Sequence, residues 1–171
     1  DKYQNIGYMT IGTSGDTSEF ACESIRRWWI NYGKIEYKGH NKLLLLCDGG
    51  GSNSSRHYIF KEDLQKLANE LKIEIRIAHY PPYTSKYNPI EHRLFPHVTR
   101  ALQGVVFSSV ELVNNLVNQT KTESGLKVFS SILNKVFETG RKYSEGFKEN
   151  MKIQFDDYLA NWNYVAVPQN C

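Results

Sequence analysis

Apolar positions fall into a succession of short β-type runs and helical stripes. Ile6, Tyr8 (or Met9) and Ile11 lie in a stretch of β-formers closed by the turn cluster Gly12-Thr13-Ser14-Gly15, which predicts a strand near 6–12. Asp16, Thr17 or Ser18 then caps a helix in which Phe20, Ala21, Ile25, Trp28 and Trp29 recur at three and four residues. That helix runs to about Tyr32 and ends at Gly33. Leu43 to Cys47 is apolar on both faces, the pattern of a strand in the middle of a sheet, and it stops at Asp48. Past the turn Gly49-Gly50-Gly51-Ser52-Asn53, the stripe Leu64, Leu67, Ala68 and Leu71 predicts a helix over about 60–72. Ile73, Ile75 and Ile77 alternate with Glu74, Arg76 and Ala78, which suits an edge strand. Three prolines make 80–89 an ordered loop. Asn88 as cap and Pro89 at the first position open a helix through Ile90, Leu94 and Val98, bent or broken at Pro96. Another helix near 109–121 carries Val110, Val113, Leu116 and Val117, and the last third mixes short amphipathic pieces with polar spacers. This alternation of strand and helix argues for one α/β domain with a largely parallel sheet.

Composition narrows the classes of function. The 171 residues suit a single domain over 1–171, and 40% hydrophobic with 23% charged residues supports a packed core rather than a disordered tail. A formal charge of +3 is too small to announce a nucleic-acid partner, so any such partner must come from motifs. No apolar run approaches the roughly 18 to 20 residues of a membrane span, and no membrane partner is expected. Cys22, Cys47 and Cys171 form neither a disulfide framework nor a CxxC pair, which suits a reducing cytoplasm. Residue 1 is Asp and no signal pattern follows, so the chain reads as a fragment or processed form with room for a catalytic group upstream.

Two carboxylates carry the candidate chemistry. Asp48 closes the apolar strand, and ligands of open α/β sheets sit at the carboxyl ends of strands; an Asp before three glycines also serves as a plain turn residue. Glu91 stands in the first turn of the helix opened by Asn88 and Pro89, where Asn-x-x-Glu also reads as a capping box. Held on rigid elements, such a pair binds hard divalent cations through oxygen, and two ions about 3.5 to 4 Å apart drive phosphodiester cleavage or transfer, usually with a third carboxylate. His92 is a ligand or proton shuttle, or a plain exposed histidine. His40, His57, His79 and His97 lack zinc spacing, and the glycine run lacks the Gly-Lys-Ser/Thr of a phosphate loop. Lys86, Arg93 and Arg100 either meet phosphates or form a solvated face, and Tyr80, Tyr83 and Tyr87 either stack on bases or pin the proline loop.

The segment from Tyr80-Pro81-Pro82-Tyr83 through Asn88-Pro89-Ile90-Glu91-His92-Arg93, together with Leu44 to Asn53, resembles DDE transposases, broadly mariner-like ones. More narrowly it is similar to the bacterial Rhodopirellula-type transposase DDE domain, as are 16–29 and the closing Trp162-Asn163-Tyr164, so the likeness spans nearly the whole chain. The resemblance implies an RNase H-like α/β fold, a mixed sheet flanked by helices and here lacking its first strands. It also implies metal-dependent cleavage and strand transfer at transposon ends. Asp48 matches the second acidic residue and Glu91 the third, both as metal ligands. Asn53, Lys86, His92 and Arg93 fall in the matching motifs as nucleic-acid contacts. Mg²⁺ (or Mn²⁺) is the implied cofactor, with a two-ion site expected only once the upstream Asp is present. The family's first acidic residue and amino-terminal DNA-binding region have no match here. The chain alone is therefore expected to be inactive and to self-associate or lack stability, since the strands at 6–12 and 43–47 lose the strand that usually joins them. DNA at transposon ends and target is the expected partner, in the bacterial cytoplasm at the nucleoid. A non-catalytic relic or domesticated module that binds nucleic acid or protein is the second reading. An RNase H-like nuclease of hybrids or branched DNA is a third, against which the proline loop joined to Asn-Pro-Ile-Glu-His favours transposase.

Overall fold

A computed structural model describes residues 1–51, 54, 56–81 and 83–169, the side chain of Ser85 excepted. The chain forms two compact units, each assembled from two segments: Asp1–Gly15 with Thr84–Val136, and Asp16–Tyr83 with Phe137–Cys171.

In the first unit, β1 (Ile6–Gly12) pairs in parallel with β4 (Lys127–Leu133), from Ile6 opposite Lys127 to Gly12 opposite Leu133. Gly7 gives Leu94 its place, because a Cβ there would lie 2.6 Å from Leu94 Cδ1. Val98 of α5 (Phe95–Leu102), Val117 of α6 (Val110–Asn118) and Val128 of β4 form the core with Leu94 and Leu126, which immediately precede α5 and β4, and Met9 and Ile11 of β1 pack against it. A short α4 (Pro89–Arg93) precedes α5, and the break falls at Leu94 (φ −125°), two residues before Pro96, as the proline predicts. Asn118 docks α6 on β4: its Oδ1 accepts from the Ser130 N–H at 2.8 Å and its amide donates to the Ser130 carbonyl at 3.2 Å.

The second unit holds a four-stranded mixed sheet in the order β2 (Lys42–Cys47), β3 (Glu74–His79), β6 (Asn163–Ala166), β5 (Gln154–Phe155). β2 and β3 run parallel; β6 is antiparallel to both β3 and β5. One face packs on α1 (Ser18–Trp28) and α3 (Tyr58–Leu71) around Trp29, Phe60, Leu64, Ile75, Ile77 and Tyr164. Thr17 caps α1, its Oγ1 accepting from the Phe20 N–H at 3.1 Å.

Several expectations are corrected. The first helix does not end at Gly33: after α1 a π-helical turn, Trp29–Gly33, leads into α2 (Lys34–Glu36) with Gly33 at φ −58°. What Gly33 supplies is space, because a Cβ would sit 2.7 Å from Trp29 Cε3. β2 and β3 exchange their expected places. β2 has no described strand on its outer side, and Leu44 (56% exposed) and Leu46 (46%) face solvent, while β3 lies inside between β2 and β6. The strands at 6–12 and 43–47, expected to lose the strand that usually joins them, do belong to different sheets, β1 with β4 and β2 with β3. Helix α3 buries more than its apolar stripe, since Lys61, Glu62, Asp63 and Gln65 are also buried. The residues over that polar face explain it: Arg141 and the Ser18 hydroxyl (2.6 Å) bond Asp63, while Ser144 donates to Glu62 through N–H (2.8 Å) and Oγ (2.5 Å). A final α7 (Phe147–Asn150) follows. Among the described residues no helix is long and apolar enough to cross a membrane.

Candidate active site

Asp48 follows the last residue of β2 and is exposed. Two bonds fix the backbone there: the Tyr80 N–H donates to the Cys47 carbonyl at 2.7 Å, and His79 Nδ1 lies 2.9 Å from the Asp48 carbonyl. Register explains the second, since Cys47 and His79 are paired at the ends of parallel strands. The glycine turn beyond needs Gly51, whose φ of +64° few other residues adopt, and Asp16 Oδ2 lies 3.2 Å from where its Cβ would stand. Asn53 lies outside the described residues.

Glu91 is half-buried in α4. Asn88, buried at 8% exposure, caps that helix through Oδ1, which accepts from the Ile90 N–H at 3.3 Å; the Glu91 N–H goes to the Asn88 carbonyl at 3.1 Å. The capping-box alternative for Glu91 is therefore not realised among the described residues: the Asn88 side chain serves Ile90, and the Glu91 carboxylate does not return to Asn88. His92, in the same helix, places Nε2 2.5 Å from the Lys86 carbonyl. A carbonyl only accepts, so Nε2 carries the proton and the ring braces the Ser85–Tyr87 turn against α4. The Lys86 ammonium lies 5.1 Å from the Tyr87 ring centroid, and Arg93 is exposed. Tyr83 (100% exposed, φ 65°) and Tyr87 (65%) do not pin the loop onto a core; Tyr80 is half-buried.

Lys86, Glu91, His92 and Arg93 thus share the first unit, and Asp48 belongs to the second. Neither Asp48 nor Glu91 has a hydrogen-bonded or ion-paired side-chain partner among the described residues. Among the described residues no three His, Cys, Asp or Glu side chains gather as a metal-holding group.

Sequence reasoning missed the buried groups behind Asp48. His79 Nε2 lies 3.0 Å from the Tyr164 hydroxyl, and burial is the main influence pulling the imidazole below its usual pKa. Burial likewise pushes the Tyr164 phenol up. Lys61 spreads its ammonium over Tyr164 (4.8 Å) and Tyr58 (5.3 Å), and burial lowers it to about 8. The one signal in the sequence was a histidine closing an apolar alternation at an inward position.

The model of the Rhodopirellula transposase DDE domain matches residues 1–168. The chain belongs to that family. No curated protein and no solved structure matches it. Family membership points to the role of a transposase catalytic domain, and the mixed sheet flanked by helices is consistent with the RNase H-like fold of DDE transposase domains. Within the Rhodopirellula transposase DDE domain, Asp48 and Glu91 both sit in the matched region, one at a strand end and the other in a capped first turn.

Proposed function

We propose that the chain is the carboxy-terminal part of a mariner-like DDE catalytic domain that acts on transposon ends and target DNA at the bacterial nucleoid. The match over residues 1–168 carries the reading. Asp48 and Glu91, uncommitted to other described side chains, are the residues that would hold Mg²⁺ or Mn²⁺. Bound divalent ions supply activation of an attacking oxygen and stabilisation of the leaving one in phosphodiester chemistry. The chain's own residues do the rest. The strand end and the proline-stiffened first turn hold the two carboxylates, Lys86 and Arg93 offset phosphate charge, and His92, with Asn53, contacts the nucleic acid backbone. Exposed Tyr83 and Tyr87 offer ring faces for bases.

Two carboxylates under-coordinate an ion pair that wants three, so this chain alone is inactive. Electron paramagnetic resonance of Mn²⁺ titrated with the chain checks the ligands: Asp48→Asn and Glu91→Gln should each weaken binding about tenfold or more, and unchanged binding in both overturns the assignment. Incubated with Mg²⁺ and a transposon-end duplex, the chain should give no strand transfer. Robust transfer abolished by Asp48→Asn would refute the inactivity, and preference for an RNA–DNA hybrid would refute the substrate.

A further inference from the structure

Behind the Asp48 turn lies a buried chain of polar contacts, all within one unit, that the proposed chemistry leaves unused. His79 is the last residue of β3 and only 6% exposed. Its Nδ1 is 2.9 Å from the Asp48 carbonyl, which can only accept, so Nδ1 bears the proton. In the neutral ring Nε2 is then an acceptor, and the Tyr164 hydroxyl 3.0 Å away donates to it. Tyr164 is 1% exposed, held in β6 beside β3 and covered by the Lys61 ammonium 4.8 Å from its ring centroid. With the Cys47 carbonyl taken by the Tyr80 N–H, two successive carbonyls at the end of β2 are held from β3 or the residue just beyond it. A buried imidazole with both nitrogens engaged has one orientation, and the peptide it grips has little freedom to rotate.

We infer that His79 is a positioning residue: kept in one tautomer by Tyr164, it fixes the Asp48 peptide and so the direction in which the Asp48 carboxylate leaves the strand. The inference rests on the reading of Asp48 as a metal-holding carboxylate. It follows the logic by which groups beyond the ligands orient the ligands themselves, whose loss costs about 10- to 100-fold in metal affinity.

Two isosteric variants of the full chain separate positioning from bulk stability. His79→Asn places its amide nitrogen where Nδ1 stood and keeps the bond to Asp48. His79→Gln reaches toward Tyr164 and loses it. The Gly49 amide shares a peptide group with the Asp48 carbonyl, so its ¹H–¹⁵N resonance reports the bond directly. In His79→Gln that resonance should move and Mn²⁺ affinity fall about tenfold, while His79→Asn restores the resonance and most of the affinity. A Gly49 amide unmoved in His79→Gln, or equal Mn²⁺ losses in the two variants, overturns the inference. Should either variant fail to fold, ¹⁵N spectra of the wild-type imidazole decide: a protonated Nδ1 and bare Nε2 at neutral pH are expected, and the opposite tautomer refutes the brace. If Asp48→Asn leaves Mn²⁺ binding intact, the metal reading falls while the Gly49 resonance still reports on His79.

Discussion

Lys61 and Asp63, two residues apart on α3, are both charged side chains and both buried. Lys61 lies over two aromatic rings, and burial lowers its pKa to about 8 from 10.5. Between those values the unfolded chain binds more protons than the folded one, so stability rises with pH from 8 to 10.5 and is lowest below that window. Lys61→Met should flatten the rise, read as urea midpoints across the window; an unchanged slope would show that the ammonium is solvated. Asp63 instead gathers Arg141 and the Ser18 hydroxyl, and Asp63→Ala strands a buried hydroxyl. The expected loss is about 1 to 3 kcal/mol in urea unfolding, kept moderate because Arg141 still reaches solvent. The positions of Asp48 after a strand and of Glu91 in a helix first turn were legible in the sequence because strand ends and helix starts are local features. His79 and Tyr164, 85 residues apart, were not, since only the pairing of β3 with β6 brings them together.

Elements show where local pattern succeeds and where neighbours decide. The Thr17 and Asn88 caps, the Pro96 break and the limits of α3 follow from short-range chemistry and lie close to where the sequence put them. The swapped places of β2 and β3 do not. An apolar run such as Leu43 to Cys47 records that both faces are greasy, yet which strand lies inside is chosen elsewhere, by β6, a four-residue strand too short to carry a clear period of its own. β4 was hidden for the same reason, its Ser130 and Ser131 masking a strand whose partner is β1. In the π-helical turn after α1, Gly33→Ala sets a helix-propensity gain of up to about 1 kcal/mol against a Cβ pressed into two indole rings. Overpacking costs about 1 to 3 kcal/mol, so the variant should melt lower. A higher melting temperature would mean that the rings shift freely.

At the scale of the whole molecule, one exposed strand edge stands out. β2 presents Leu44 and Leu46 to solvent beside a side to which no described strand pairs, a surface prone to pair with another chain. Leu44→Lys together with Leu46→Glu should lower the apparent mass in sedimentation at high concentration while leaving the melting temperature near that of the parent. Equal association in parent and variant would place the contact elsewhere.

The β1–β4 pairing carries a consequence in time. Its two strands begin at residues 6 and 127, and everything between them must be made before the first can find its partner. At a synthesis rate of about 5 to 20 residues per second, β1 waits on the order of 6 to 24 seconds on the ribosome, while β2, α3 and β3 are contiguous and can assemble during that interval. The order of folding is thus written into the order of translation. A codon-level slowdown placed between residues 80 and 127 would lengthen the exposure of β1 without delaying the β2–α3–β3 segment.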